Sequence, residues 1–485
     1  MTTPVVNWIA ILPELALALG AAAVLLIEVQ WKPLAGTLGT AAASTLVFAG
    51  AFGVVQWIEA GDALSVGATG DLVAFSGMIV MDGFSIFGRF ALLAITAIGL
   101  MAAWKHIEGL GRRGAEAIAL VLLATAGFSI MVAANNLVMM FLGLEVGSIA
   151  LYVLAGLTRE RSNSDEAALK YFLLGSFASA LFVYGVALLY AGTGQFEILG
   201  MRAFFTSFIV TSPAVILIGI GLVIVGLGFK VSAAPFHSWA PDVYQGAPAG
   251  IVGYMAAVAK IAGFAALARI LLTAVPDFSE SWLPVVAGIS VLSMLGGSVM
   301  ALVQTDVRRM LAYTGVATAG FIMTGVVGGA TTPILFYVAV YAFQLVGAFS
   351  VVSTVSGAGT SSSSFDEYRG LADRNPGLAA AFSVLLLGMA GLPLTSGFVA
   401  KFGVFANAWA VGYEWLVIVA VLASVVTFAV YLRVIITMYM DESDVEGVEV
   451  AGTAKLAMLI AVAATVVWGI LPGSLLEMAA DALPL

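Results

Sequence analysis

Apolar runs of about 20 residues recur from one end of this chain to the other, each long enough to cross a bilayer as a helix. In all, 62% of the 485 residues are hydrophobic and 10% are charged. A chain so composed must satisfy its backbone within each span, because hydrocarbon offers no water to an open N–H or C=O. The expected fold class is therefore all-α integral membrane, with no soluble domain. The formal charge of −9 carries no message about partners, since most acids fall in loops and ends such as GDALSVGATGD, FDEY and MDESDVEGVE. Nothing points to nucleic acid; the bilayer is the partner that composition dictates.

Windows of hydropathy, read against breakers and charges, predict about fourteen spans. They fall near 8–28, 35–58, 74–103, 116–133, 136–158, 167–191, 211–233, 248–273, 282–303, 309–328, 333–356, 378–410, 414–440 and 453–472. The N-terminus lacks the basic flank of a secretory signal and reads as a retained first span. Loop charges support the count. Lys32, Lys105, Arg112, Arg113, Arg159, Arg161, Arg308, Arg309, Arg369, Arg374 and Lys455 fall on one side, and Arg202 and Arg269 on the other. The basic side is assigned to the cytoplasm, with both termini on the outer face. The small polar patch GAGTSSSS at 357–364 reads as a cytoplasmic loop.

Spans four to eight and nine to thirteen form two blocks of five, each with its fourth member interrupted, by Pro235 in one and Pro393 in the other. An odd number of spans per block inverts the second copy relative to the first, and matched breaks in inverted halves point to a transport site. The expected organisation is one membrane domain: residues 1–110 as three N-terminal helices, 111–275 and 280–440 as the repeats, and 450–485 as a last helix.

Ionisable groups at mid-depth are expensive and mark pathways. Lys230, Lys260 and Lys401 each sit inside an apolar stretch, and Glu145 lies about ten residues into its span, about 15 Å deep at 1.5 Å per residue. Lys230 precedes one break and Lys401 follows the other, so both border unwound, hydratable backbone. Burial lowers the pKa of a lysine and a nearby carboxylate raises it, so moving Glu145 and Lys230 together or apart would switch the lysine between acceptor and donor. The alternative is a static ion pair that locks two helices. His237, beside the first break, is a candidate shuttle between Lys230 and Lys260. Lys170, at the head of the sixth span, can snorkel to the cytoplasm or feed protons inward. Asp82 and Arg89 read as structural charges, and Asp306, Arg308 and Arg309 as a span-end cluster. With no cysteine and only His106 and His237, the chain cannot hold a cysteine-ligated iron–sulfur cluster, a disulfide or a His-rich metal cage.

The run GLGFKVSAAPFHSWAPDVYQGAP at 226–248 resembles the signature of the antiporter-like membrane subunits of proton-pumping NADH:quinone oxidoreductase, respiratory complex I. Supporting matches include LPELALALGAA, MDGFSIFGRF, NNLVMMFLGLEVGSIALYVLAG, ALKYFLLGSFASA, QTDVRRMLAYTGVATAGF and GLPLTSGFVAKFGVF, so the resemblance spans nearly the whole chain. Among three related kinds the chain is most similar to the N subunit, subunit 2 in mitochondria. Its length leaves no room for the long lateral helix of the L subunit, and Lys401 stands where the M subunit would have a glutamate.

The resemblance implies fourteen helices with two inverted five-helix repeats. It also implies Glu145 and Lys230 as a coupled pair, Lys260 as central relay, Lys401 as the terminal group toward the outer exit, and Lys170 as the lysine heading the sixth span. Where the family commonly has a histidine this chain has Thr318, whose hydroxyl would have to serve with water. The resemblance further implies other complex I membrane subunits as partners, related antiporter-like ones among them, and a bacterial inner membrane. No cofactor is expected in this chain; FMN, iron–sulfur clusters and quinone belong to other subunits. Two further functions fit parts of the pattern: a subunit of a multisubunit cation/proton antiporter or membrane-bound hydrogenase, and a purely structural membrane anchor. Mid-depth lysines argue against the anchor.

Overall fold

The computed structural model describes residues 7–32, 34–157, 162–208, 210, 212–356, 363–442 and 447–484. Arg159 and Arg161 of the expected basic loop, and residues 357–362 of the serine-rich patch, lie outside the described residues. The N-terminal helices are α1 (Leu12–Trp31), α2 (Ala35–Ser65) and α3 (Gly83–Gly109). Next come α4 (Arg113–Ala133), α5 (Leu137–Ala155), α6 (Ser162–Thr193), the short α7 (Ile198–Ser207), α8 (Ala214–Lys230), α9 (Trp239–Gly246) and α10 (Ala249–Ala268). The second half holds α11 (Ser279–Leu302), α12 (Val307–Val327), α13 (Thr331–Val355), α14 (Leu371–Arg374), α15 (Pro376–Ala390), α16 (Ser396–Ala410) and α17 (Glu414–Met440). The chain closes with α18 (Gly452–Ile470) and α19 (Gly473–Asp481).

The fold is all-α. Twelve helices among the described residues are long and apolar enough to cross a membrane, and two shorter apolar helices, α8 and α15, lie where Gly and Pro interrupt the sequence. Polar caps set several starts: Asp82 accepts from Ser85 N at 2.8 Å, Asn136 from Val138 N at 2.9 Å and Asp306 from Arg309 N at 3.0 Å, each satisfying an amide the helix leaves open.

Several boundaries differ from the sequence expectation: α2 runs on to Ser65 past the expected 58, α6 starts at Ser162 before the expected 167, and the third span differs most. The third span, expected from residue 74, starts as a helix only at Gly83. Before it, β1 (Val73–Ala74) pairs antiparallel with β2 (Ile79–Val80). Phe75, Ser76 and Gly77 between them have φ of 52°, 54° and 89°. The apolar run hid a turn because hydropathy does not register backbone handedness; the Ser76–Gly77 step was its one local signal.

Burial ranks the helices. In its most apolar window α13 is buried throughout, and α10 and α12 are 94% buried, whereas α2 is 22% buried. Polar groups carried by α10, α12 and α13 are therefore sheltered by protein, and the faces of α2 are left to lipid or to other chains. At the first break α8 stops at Lys230, and the turn carrying Pro235, which has no N–H to donate, runs to Trp239. At the second, α15 ends at Ala390 and Gly391 takes φ 86°. A Cβ there would lie 2.9 Å from Lys401 Cδ, so glycine both ends the helix and leaves room for the lysine.

Candidate functional site

Lys230, Lys260 and Lys401 are 3%, 2% and 6% exposed, yet no ion pair joins any of them to a carboxylate among the described residues. Each is held by neutral oxygens, and Lys230 and Lys401 by aromatic faces as well. Lys230, the last residue of α8, donates from Nζ to Ser148 Oγ of α5 at 2.7 Å. Its ammonium lies 5.0 Å from the ring centre of Phe128, 5.7 Å from that of Tyr171 and 5.9 Å from that of Tyr152, a cation–π enclosure.

Glu145 is one turn from Ser148 on the same helix, and its carboxylate accepts from the Ser179 hydroxyl of α6. Residues three apart share a helix face, about 4.5 Å along the axis. Glu145 and Lys230, expected as a pair, form no ion pair with each other among the described residues; each is engaged by its own serine, Ser179 and Ser148.

Lys260, midway along α10, donates to Val231 O at 2.7 Å and to Gly315 O of α12 at 3.1 Å. Val231 directly follows Lys230 and caps α8, so the carbonyl freed by the break is the group that takes Lys260. Lys401 repeats the arrangement in the second half. It donates to Ala390 O, at the end of α15, at 2.7 Å and to Ser424 Oγ of α17 at 3.2 Å, with its ammonium 4.5 Å from the Phe321 ring centre. In both cases a cation meets the C-terminal carbonyls of a broken helix, where the helix dipole favours positive charge.

Helix α12 connects these two lysines. Gly315 receives Lys260 and Phe321 faces Lys401, six residues and about 9 Å apart along the axis. Thr318 lies between them at helical spacing and donates to Thr314 O at 2.9 Å. Next to Gly315, the buried hydroxyl of Tyr341 lies 3.2 Å from where a Cβ on Gly315 would be.

At the end of α6, Lys170 bonds Glu166 and Asp242 at 2.8 Å each, and Asp242 also takes Arg309 at 2.7 Å. Gln245 links this group onward to Asp306, at 3.2 Å. Glu166, Lys170, Asp242 and Gln245 line a polar cavity of about 200 Å³. The span-end cluster expected around Asp306 and Arg309 therefore includes Lys170 and the first break's second half.

The charges read as structural are locked pairs. Asp82 binds Arg269 through two bonds of 2.7 and 2.8 Å, and Arg89 holds Glu14 at 2.7 Å, Gln56 at 3.1 Å and Ala10 O at 2.9 Å.

No hydrogen bond joins His237 to Lys230 or Lys260 among the described residues. Its ring packs 6.2 Å from that of Tyr313, and Nδ1 is buried without a hydrogen-bond partner among the described residues. Sequence reasoning missed Ser148, Ser179, Ser424, Tyr341 and Asp242, and the two carbonyls of Val231 and Gly315. Ser148 had a signal, three residues after Glu145; backbone carbonyls have none.

Residues 134–427, a stretch holding Glu145, all three lysines and both breaks, match the family model described as NADH:quinone oxidoreductase/Mrp antiporter, TM. The NADH-quinone oxidoreductase subunit N of Trichlorobacter lovleyi is 36% identical over 495 residues, covering 99% of this chain and 98% of that one. This chain belongs to the NADH-quinone oxidoreductase subunit N family. A chain in the structure of respiratory complex I from Thermus thermophilus matches with a TM-score of 0.81 at 32% identity, covering 97% of this chain and all of that one. A chain of the Mrp complex from Dietzia matches with a TM-score of 0.77 at 21% identity, covering 97% and 96%; that likeness is one of fold alone. With its bacterial subunit N relatives, the chain is a multi-pass protein of the bacterial inner membrane.

Proposed function

We propose that this chain carries protons across the membrane as the N subunit of a NADH:quinone oxidoreductase, driven by quinone reduction in other subunits. The route runs from the Lys170–Asp242 cavity to Glu145 and Lys230, then through Lys260 and along α12 past Thr318 to Lys401. NADH, flavin, clusters and quinone are handled by partner subunits; this chain contributes the translocase half of the activity. Residues 111–275 and 280–440 act as inverted repeats, with the basic loops in the cytoplasm and both termini outside.

The observation that carries this reading is a contrast within one molecule. Asp82–Arg269 and Glu14–Arg89 show what a fixed buried charge looks like here: a carboxylate in direct contact with a guanidinium that cannot lose its proton. Among the described residues the three lysines are engaged only by hydroxyls, carbonyls and rings. A purely structural helix lock would be built like the arginine pairs, whereas a lysine without a fixed counter-charge is free to exchange its proton. Glu145 supplies the switch. Lys230 need only turn from Ser148 to the carboxylate one helical turn away to change its charge environment.

The test is Lys260→Met in the whole complex, assayed for proton uptake in sealed inverted vesicles per assembled complex. Methionine matches the stem and removes the titrating group, so assembly should persist and pumping should fall at least tenfold. Pumping at the parental level would sink the relay reading.

A further inference from the structure

At the first break the backbone of residues 231–236 is nearly closed upon itself. The amides of Val231, Ser232, Ala233 and Phe236 donate to the carbonyls of Leu227, Phe229, Gly228 and Ala233, all in the same stretch of chain. Pro235 has no N–H to give. Ala234 is the exception: its N–H leaves the turn and donates to Ser293 Oγ of α11 at 2.8 Å. That hydroxyl is itself oriented, because it donates to Ile289 O of its own helix at 2.7 Å and so presents a lone pair to the amide. Ser293 is fully buried, in a place where an amide left without an acceptor is costly.

The same turn is packed against α10. A Cβ on Gly263 would lie 2.6 Å from Val231 Cγ1 and 3.7 Å from Lys230 Cβ, so only glycine lets α10 come this close. Gly263 is one helical turn from Lys260, on the same face, and the group that Lys260 meets there is Val231 O, at 2.7 Å. Val231 is thus touched by α10, while Ala234, three residues on, is bonded to α11. Packing alone leaves a turn free to withdraw, whereas a hydrogen bond of defined length sets where it stands.

We propose that Ser293 is a positioning residue for Lys260. By holding the Ala234 amide it keeps the Val231 carbonyl within reach of the ammonium, and it ties the broken helix of the first half to α11, which opens the second. This rests on the relay role given above to Lys260, and Ser293 acts on that relay only through the turn.

The experiment uses the whole purified complex and two variants matched in shape: Ser293→Thr, which keeps the oxygen, and Ser293→Val, which puts a methyl group in its place. Backbone hydrogen exchange, read by mass spectrometry on the peptide covering residues 228–240, should quicken about fivefold or more in Ser293→Val and stay within about twofold of the parent in Ser293→Thr. Proton pumping in sealed vesicles, per assembled complex, should fall about fivefold or more in the valine variant and remain above about half in the threonine variant. Ser293→Ala adds no atoms and should match the valine variant on both readouts, which decides the matter even where a branched side chain prevents assembly. Ser350→Ala, which removes an equally buried hydroxyl from α13, should match the parent. Unchanged exchange in Ser293→Ala, quickened exchange with parental pumping, or equal losses in Ser293→Ala and Ser350→Ala would each overturn the proposal. Lys260→Met, measured alongside, reports the relay by itself: parental pumping there sinks the relay, whereas an inactive methionine variant beside a fully active Ser293→Ala sinks only the positioning role.

Discussion

Replacing Lys401 with arginine separates a relay from a scaffold. In the structure Lys401 reaches Ala390 O at 2.7 Å and Ser424 Oγ at 3.2 Å, above Phe321. A guanidinium keeps the charge, can still donate to the carbonyl and can stack on the ring. If the residue only pins α15 to α17, an arginine that keeps the charge and the carbonyl contact should pump nearly as well as the parent, whatever becomes of the longer 3.2 Å contact with Ser424. If the residue must release its proton in every cycle, the relevant difference is between ordinary pKa values of about 10.4 for lysine and about 12.5–13.8 for arginine. Two to three units correspond to about 3–4 kcal/mol, which slows the deprotonation step by about 100- to 1,000-fold. The expected outcome for Lys401→Arg is normal assembly, with pumping in sealed vesicles reduced to the background of the assay and no recovery on raising the pH by one unit. Ser424→Ala serves as the packing control and should retain at least a quarter of parental pumping. Near-parental pumping by the arginine variant would refute the reasoning and leave Lys401 as a fixed charge.

Glu145→Ala and Lys230→Ala should each assemble and lose most redox-driven pumping in the same vesicle assay, with Glu145→Asp retaining more because the carboxylate survives. Ser148→Ala removes the hydroxyl that Lys230 donates to, a charge-assisted bond of about 1.5–3 kcal/mol, and should lower pumping by at least tenfold without affecting complex yield. Arg269→Ala should do the reverse of the lysine variants: it strands Asp82 in the interior, costs about 3–5 kcal/mol, and should show as loss of assembled subunit on native gels. Because the chain has no cysteine, a single cysteine at the partly exposed Ser364 should react with an impermeant maleimide only from the cytoplasmic side; labelling of intact cells from outside would invert the proposed orientation.

Much of the architecture was legible because membrane burial is written in single residues and short windows. Length and hydropathy located the spans, and Gly and Pro marked both breaks, since a missing N–H or a left-handed turn is a local property. The lysines were conspicuous because charge in an apolar run has no ordinary explanation. Where backbone handedness mattered more than hydropathy, at residues 75–77, the reading failed and α3 started nine residues late.

What holds each lysine was decided only in three dimensions. Lys260 is satisfied by carbonyls of Val231 and Gly315, 29 and 55 residues away, and every residue type except its own partners' positions would offer the same oxygen, so no pattern of side chains could announce them. Asp82 found Arg269 across 187 residues while Arg89 took Glu14 across 75, although Asp82 and Arg89 share one motif. Charge and depth narrow a group's choices to oppositely charged or polar neighbours, but the choice among them follows from which helix faces the packing brings together, and that is a property of the assembled bundle.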